Sequence, residues 1–207
     1  MPLIDYVIAH SGTPKASGQG YDYILAADGL YIGAENAYLA ARIPIAHCQV
    51  RGLAALPPFC HLKHGRIGFA LWQHIVDAAQ AWAAYEHEVL LIVGHDPQLG
   101  YHLVVPRQVT SSTEIAYLPA RNVVMEIHSH HVYPAHFSDV DDGDEQRLAL
   151  YGVLGRLDTE RPEVVLRVGV YGYFMPVRWT DVFEGELGDF RDMALEAEED
   201  TDNGVPN

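Results

Sequence analysis

The 207-residue chain is 49% apolar and 20% charged, the balance of an ordinary globular protein, which excludes disorder over most of its length. Thirteen Lys and Arg against 28 Asp and Glu give a formal charge of −15, so the basic footprint that nucleic acid requires is missing. Two cysteines, Cys48 and Cys60, form no CxxC pair, which excludes a thiolate zinc ribbon and a disulfide framework and fits two buried thiols in a cytoplasmic protein.

The charge is uneven. From Glu184 onward there are nine acidic residues and one Arg, net −8, so the preceding residues carry −15 + 8 = −7. The N-terminal Met-Pro-Leu-Ile-Asp-Tyr has no basic stretch ahead of an apolar run, so no secretory leader is expected. No segment nears the roughly 18 uninterrupted apolar residues of a membrane helix, and no membrane partner is expected.

In chain order, Leu3 to Ala9 is a short apolar run followed by a Gly/Ser/Pro loop. Asp28-Gly29 between two β-rich runs predicts a hairpin. Further strands are expected over 36–55, and residues 1–65 read as a β-rich N-terminal lobe. Over 67–84, Leu71, Ile75, Ala78, Ala79 and Trp82 recur at helical spacing, with Trp72 and Trp82 read as core. Val89 to Val93 is a continuous apolar run that suits a buried strand. Asp96-Pro97 predicts a turn, 101–109 a strand broken near Pro106, 111–113 a loop, and Asn122 to His128 another strand. Residues 129–143 lack periodicity. Asp144 to Leu157 reads as a helix on Leu148, Leu150, Val153, Leu154 and Leu157. Val164 to Val177 reads as a strand pair joined near Gly172. The expected architecture is α+β, a mixed sheet flanked by helices, over 66–183. An acidic tail over 184–207 follows, with disorder expected over 196–207. No glycine fingerprint follows any strand, so a dinucleotide fold is not expected.

The segment that carries chemistry runs from His128 to Asp141. Side chains two apart share a strand face, so His128 and His130 project together. Imidazole and carboxylate are zinc ligands, and a catalytic zinc keeps a fourth position open. Asp141 is the candidate third ligand. Glu86 and Glu88, where the long helix gives way to the apolar strand, are candidates for the general base. Glu88 is favoured because the strand follows it directly. Ser138 is a candidate donor to a developing oxyanion.

His-x-His, seven residues, Ser, two residues, Asp resembles the JAMM motif of the JAB/MPN metalloprotease family, at every spacing. The resemblance covers roughly residues 68–180. In length and layout the chain is also similar to a JAB-like subfamily of bacterial PRTRC cassettes. The family's fold is a cytidine-deaminase-like sandwich. By position the resemblance implies zinc (Zn2+) on His128, His130 and Asp141, Glu88 as acid/base, and Ser138 at the oxyanion. The implied activity is hydrolysis of a peptide or isopeptide bond after the C-terminal glycine of a ubiquitin-like protein. The alternatives are processing of a sulfur-carrier-like precursor protein and a metal-free MPN scaffold. Two departures stand out: Leu91 occupies the place of a family Gly, and His131 that of a family Pro.

Plainer roles compete for several of these residues. Ser138-x-x-Asp141 also matches a helix N-cap. Glu126 shares the face of His128 and His130; it is a hydrogen-bond acceptor supporting a ligand, a substitute ligand or a solvated side chain, the last favoured. His131 and His136 read as exposed loop residues, and His61 and His64 as surface residues. Asp139, Asp142, Asp144 and Glu145 lack the ligand order of a calcium loop and read as helix-dipole stabilisers.

Overall fold

The computed structural model describes residues 4–10, 20–110, 115–117 and 122–195. The expected loop at 111–113 and the expected disorder over 196–207 lie outside them. The chain is mixed α+β, with two mixed sheets and few helices. Among the described residues no helix is long and apolar enough to cross a membrane.

The first sheet takes its strands in sequence order: β1 (Ile4–Ile8), β2 (Tyr21–Leu25), β3 (Gly29–Glu35), β4 (Leu39–His47) and β5 (Phe59–Leu62). β1 and β2 are parallel and the other pairs antiparallel. The Asp28-Gly29 hairpin forms as expected, joining Leu25 to Leu30. A Cβ on Gly29 would lie 2.5 Å from the Ala46 carbonyl oxygen, so only glycine lets β4 pass this closely. Asp28 accepts from Tyr31 Oη (2.9 Å) and from the Leu56 N–H (3.3 Å), closing the turn. Ala9, Ile24, Ala26, Tyr31 and Leu56 form a core beneath it. Cys48 and Cys60 are free thiols, and Cys48 is exposed rather than buried.

The second sheet runs β13-β12-β11-β10-β6-β7, with β14 beside β12. Its strands are β6 (Leu90–Asp96), β7 (Gly100–Val104), β10 (Val123–Ser129), β11 (Ala149–Gly155), β12 (Glu163–Val170), β13 (Tyr173–Pro176) and β14 (Arg191–Asp192). β8 (Gln108–Thr110) and β9 (Ile115–Tyr117) make a separate pair. The helices are α1 (Phe69–Ala83), α2 (Asp139–Asp144) and α3 (Trp179–Val182). β6 is buried from Leu90 to His95, as a strand covered on both faces must be. α1 buries Trp72, Ile75 and Ala79, one stripe at helical spacing, and packs against β7 and β10. Trp72 anchors an aromatic cluster, with ring centroids 5.7 Å from Trp179, 5.0 Å from Phe183 and 5.3 Å from Phe190. Trp82 is only half-buried.

One expected element is overturned. Asp144 to Leu157 is not a helix: α2 ends at Asp144, and Ala149–Gly155 is a strand parallel to β10. All seven residues of β11 are buried. Such a run is apolar on both faces, and its leucines then match helical spacing by coincidence. Gly152 and Gly155 each cost a helix about 1 kcal/mol relative to alanine, which favours the strand.

The chain divides into two compact units. One takes residues up to Gly65 together with 139–149 and 168–175; the other takes the remaining described residues.

Candidate metal centre

The centre is built on the end of β10. Side chains alternate across that strand, so Glu126, His128 and His130 share a face while Ile127 and Ser129 are buried on the other. His128 Nε2 lies 3.2 Å from His130 Nε2. Two nitrogens at the usual Zn–N bond length of ~2.05 Å from one tetrahedral ion lie about 3.3 Å apart, so the pair already has the spacing of two zinc ligands. The tautomer agrees. His130 Nδ1 is 3.1 Å from the Pro134 carbonyl oxygen, which only accepts, so Nδ1 carries the hydrogen. That leaves the Nε2 lone pair aimed at His128, the orientation a backbone carbonyl imposes on metal-binding imidazoles. His136 Nδ1 bonds the same carbonyl at 3.0 Å, and its ring stands edge-on to His130 at 4.9 Å. His136 is exposed, as expected.

The loop after His130 is held by backbone bonds to the end of β11. His130 N–H donates to Leu154 O (2.7 Å), Leu157 N–H to His131 O (2.7 Å) and Arg156 N–H to Tyr133 O (2.8 Å). Glu163, only 3% exposed, accepts from the Ala135 N–H at 3.1 Å and pairs with Arg156 (2.9 Å) and Arg191 (3.3 Å). The Arg167 guanidinium lies 3.7 Å over the Phe137 ring. Gly155 faces the loop so closely that a Cβ there would meet Ala135 N at 2.3 Å and Tyr133 O at 2.6 Å.

His131 departs from expectation. It is 5% exposed rather than solvated, with a left-handed backbone (φ 28°) that puts its ring beneath the loop beside Tyr133. Among the described residues, neither ring nitrogen has a hydrogen-bond partner.

The two candidate bases separate clearly. Glu86 is exposed in the turn after α1, with φ 58°. Glu88 is 9% exposed. The register pairs Leu90 with His128, and Ser129 then clamps Val89 twice: its N–H donates to Val89 O (3.0 Å) and its Oγ accepts from Val89 N–H (3.1 Å). Glu88 directly precedes the clamped Val89, just as His130 directly follows Ser129. Gln108 fixes the same segment, accepting from Leu90 N–H (2.8 Å) and donating to Leu90 O (3.0 Å). Glu126 is buried at 7%, not solvated.

Ser138 directly precedes α2, where an N-cap stands, so the capping position and the motif position coincide. Asp141 is half-buried on α2. Glu145 N–H donates to Asp141 O at 2.9 Å, a helical turn that stacks the two side chains on one face. Each offers a carboxylate oxygen within 4.8 Å of the other's. Glu145 is 7% exposed and follows the C-terminal end of the helix, so dipole stabilisation does not account for it. Asp141 and Glu145, within one unit, offer carboxylate oxygens of the kind that hold a metal ion, and His128 and His130, within the other, offer imidazole nitrogens of that kind. Glu145 reads from the sequence as a helix-dipole stabiliser; its i,i+4 spacing from Asp141 is the signal that would have singled it out.

No protein-family model matches the chain, and no curated protein matches it significantly.

Proposed function

We propose that the protein is a zinc-dependent peptidase of the JAMM type, within the JAB/MPN family. In this reading His128, His130 and Asp141 are the metal ligands. Glu145 is an additional carboxylate for the same cation. The observation that carries the reading is the 3.2 Å approach of two imidazole nitrogens, one of them fixed as an acceptor by Pro134. The motif spacing through Ser138 to Asp141 supports it. So does the stacking of Asp141 on a buried Glu145: two carboxylates this close favour a cation between them.

Bound zinc would supply Lewis acidity, making water acidic enough to ionise near neutral pH and polarising a carbonyl. The residues do the rest. Glu88, shielded from bulk water, takes the proton from the attacking water and returns it to the leaving amine. Ser138 Oγ donates to the oxygen on which negative charge develops. The substrate class is a ubiquitin-like or sulfur-carrier-like protein cleaved after its terminal glycine.

The test is cleavage of a ubiquitin-like protein carrying a short extension after its glycine. Glu88→Gln is expected to keep zinc and lose at least about a hundredfold in turnover, the usual scale of a general base. Glu86→Gln is expected to match the parent. An active Glu88→Gln beside an inactive Glu86→Gln would reverse the base assignment. Zinc without cleavage of any glycine-tailed substrate would point to another hydrolytic substrate. Neither zinc nor cleavage would leave a scaffold.

A further inference from the structure

A cleft of about 600 Å³ opens beside α1, and none of its residues belongs to the metal centre. One wall is the exposed side of α1. Phe69, Gln73, Val76 and Gln80 recur there at i, i+4, i+7 and i+11, so they form one stripe, with Asp77 beside it. The opposite wall comes from the segments around Glu160 and Asp189. Those two segments are tied together: the Arg191 N–H donates to Pro162 O at 2.8 Å, and β12 pairs with β14 at Glu163 and Arg191. The Thr159 N–H (3.0 Å) and Oγ1 (2.8 Å) both donate to Arg156 O, which fixes the turn ahead of Glu160. At the floor Trp72, 2% exposed, meets Phe190 edge-on with centroids 5.3 Å apart, which joins the helix to the opposite wall. Phe190 is half-buried and Phe69 is 37% exposed, so both offer ring surface to the cleft. The whole cleft lies within one compact unit.

The charge lining the cleft selects the ligand. Asp77 on the helix and Glu160 and Asp189 on the opposite wall all line it, and no Lys or Arg does. Among the described residues no Lys or Arg pairs with any of the three. An anion would meet only repulsion. The same repulsion argues against the chain's own C-terminal segment, which from Glu196 on holds five acidic residues and no basic one. A cation is attracted twice, by the carboxylates and by the negative faces of the rings. Thirteen residues line the cleft, fewer than the roughly 20–30 a side of a stable protein interface, and its volume falls within the ~300–1,000 Å³ of small-molecule sites. An inorganic cation would use the carboxylates alone. An aliphatic amine uses both features, its methylenes on the rings and its ammonium at a carboxylate, and carboxylates on two walls call for more than one ammonium. We propose that this cleft binds a linear aliphatic polyamine, with its ammonium groups paired with Asp77, Glu160 and Asp189 and its methylene chain lying on Phe69 and Phe190.

The probe is spermidine, titrated calorimetrically into the full chain at about 0.1 M salt, where a Debye length of ~10 Å damps the diffuse attraction of a chain of net −15. One spermidine per chain is expected. Putrescine, with one charge fewer, is expected to bind less tightly, and 1,8-octanediol, uncharged and of similar length, not at all. Asp77→Asn, Glu160→Gln and Asp189→Asn are each expected to weaken spermidine roughly two- to fivefold, the range of an exposed ion pair. The triple variant compounds these to about tenfold to a hundredfold. Phe190→Leu keeps bulk against Trp72 and removes the ring, and is expected to weaken binding about two- to fivefold. Glu198→Gln/Glu199→Gln, in the acidic tail, leaves binding unchanged, and so does prior treatment with EDTA. Thermal melts by circular dichroism confirm that each variant is folded. No saturable binding of spermidine, octanediol binding as tightly as spermidine, or full binding by the triple variant overturns the proposal. So does a tail variant that loses as much as the triple variant. Displacement of spermidine by an equal concentration of magnesium overturns it too, as does tighter binding of a peptide alternating glycine with three arginines.

Discussion

Gly155→Ala tests how far the histidine loop depends on a single missing side chain. Ordinary contact begins near 3.4 Å, and the new Cβ would lie 2.3 Å from Ala135 N, so the loop must retreat by roughly 1 Å. All three nearest atoms, in Tyr133, Pro134 and Ala135, are backbone, so no rotamer change relieves the clash. The expected destabilisation is at the upper end of the ~1–3 kcal/mol typical of overpacking. The same retreat carries the Pro134 carbonyl away from His130 Nδ1, now 3.1 Å distant, and past hydrogen-bonding range. Loss of such a supporting bond typically costs ten- to a hundredfold in metal affinity. Urea unfolding with a chelator present measures the first effect, and zinc titration against a competing chelator measures the second. Gly143→Ala is the control: nothing lies within 4 Å of its Cβ, and alanine in a helix is neutral or stabilising. A Gly155→Ala protein with the parent's unfolding midpoint and zinc affinity would refute the reasoning.

Ser129→Ala leaves the Val89 N–H without its side-chain acceptor, so a loss of about 1–3 kcal/mol is expected in urea unfolding. Turnover should fall with zinc content retained, because Glu88 adjoins the loosened residue. Glu163→Ala removes the acceptor of the Ala135 N–H and the partner of Arg156 and Arg191. A loss of about 1–3 kcal/mol is expected, the half-exposed arginines adding little, together with weaker zinc binding in the chelator competition. Burial pushes the Asp192 carboxyl above its ordinary range, and the Asp181 carboxylate adds to this; hydrogen bonds from the Trp179 and Ala194 N–H groups and the Arg178 charge offset it in part. Its folded pKa is therefore raised, so its stability contribution is complete below the unfolded value of 3.8 and is lost as pH rises through the folded value. Relative to Asp192→Asn, the parent should lose stability between about pH 4 and the raised value and then hold a constant difference; urea midpoints across pH 4–8 check this.

Local periodicity made much of the framework legible. The α1 stripe of Ile75 and Ala79, the hairpin at Asp28-Gly29 and the paired face of His128 and His130 each follow from spacing along a few residues. The apolar run of β6 was equally plain because a strand buried on both faces needs no alternation. What local pattern could not convey was contact between distant segments. β11 resembles a helix until β10 is known to lie beside it. His131 looks like any loop histidine until the segment carrying Leu157, which donates to its carbonyl, is known to lie against it. Nothing near Glu163 shows that it holds Ala135, and nothing near Gly155 shows that a loop twenty residues earlier lies against it. Glu86 and Glu88 are two residues apart, and burial distinguishes them: one sits in a solvated turn, the other beside a strand clamped by Ser129.

Zinc stoichiometry of the purified full chain tests the central claim most directly. About one zinc per chain is expected by elemental analysis after exposure to zinc and desalting, falling to near zero in His128→Ala/His130→Ala and falling strongly in Asp141→Ala. A parent chain that retains no zinc, or a histidine double variant that retains as much as the parent, would contradict the account.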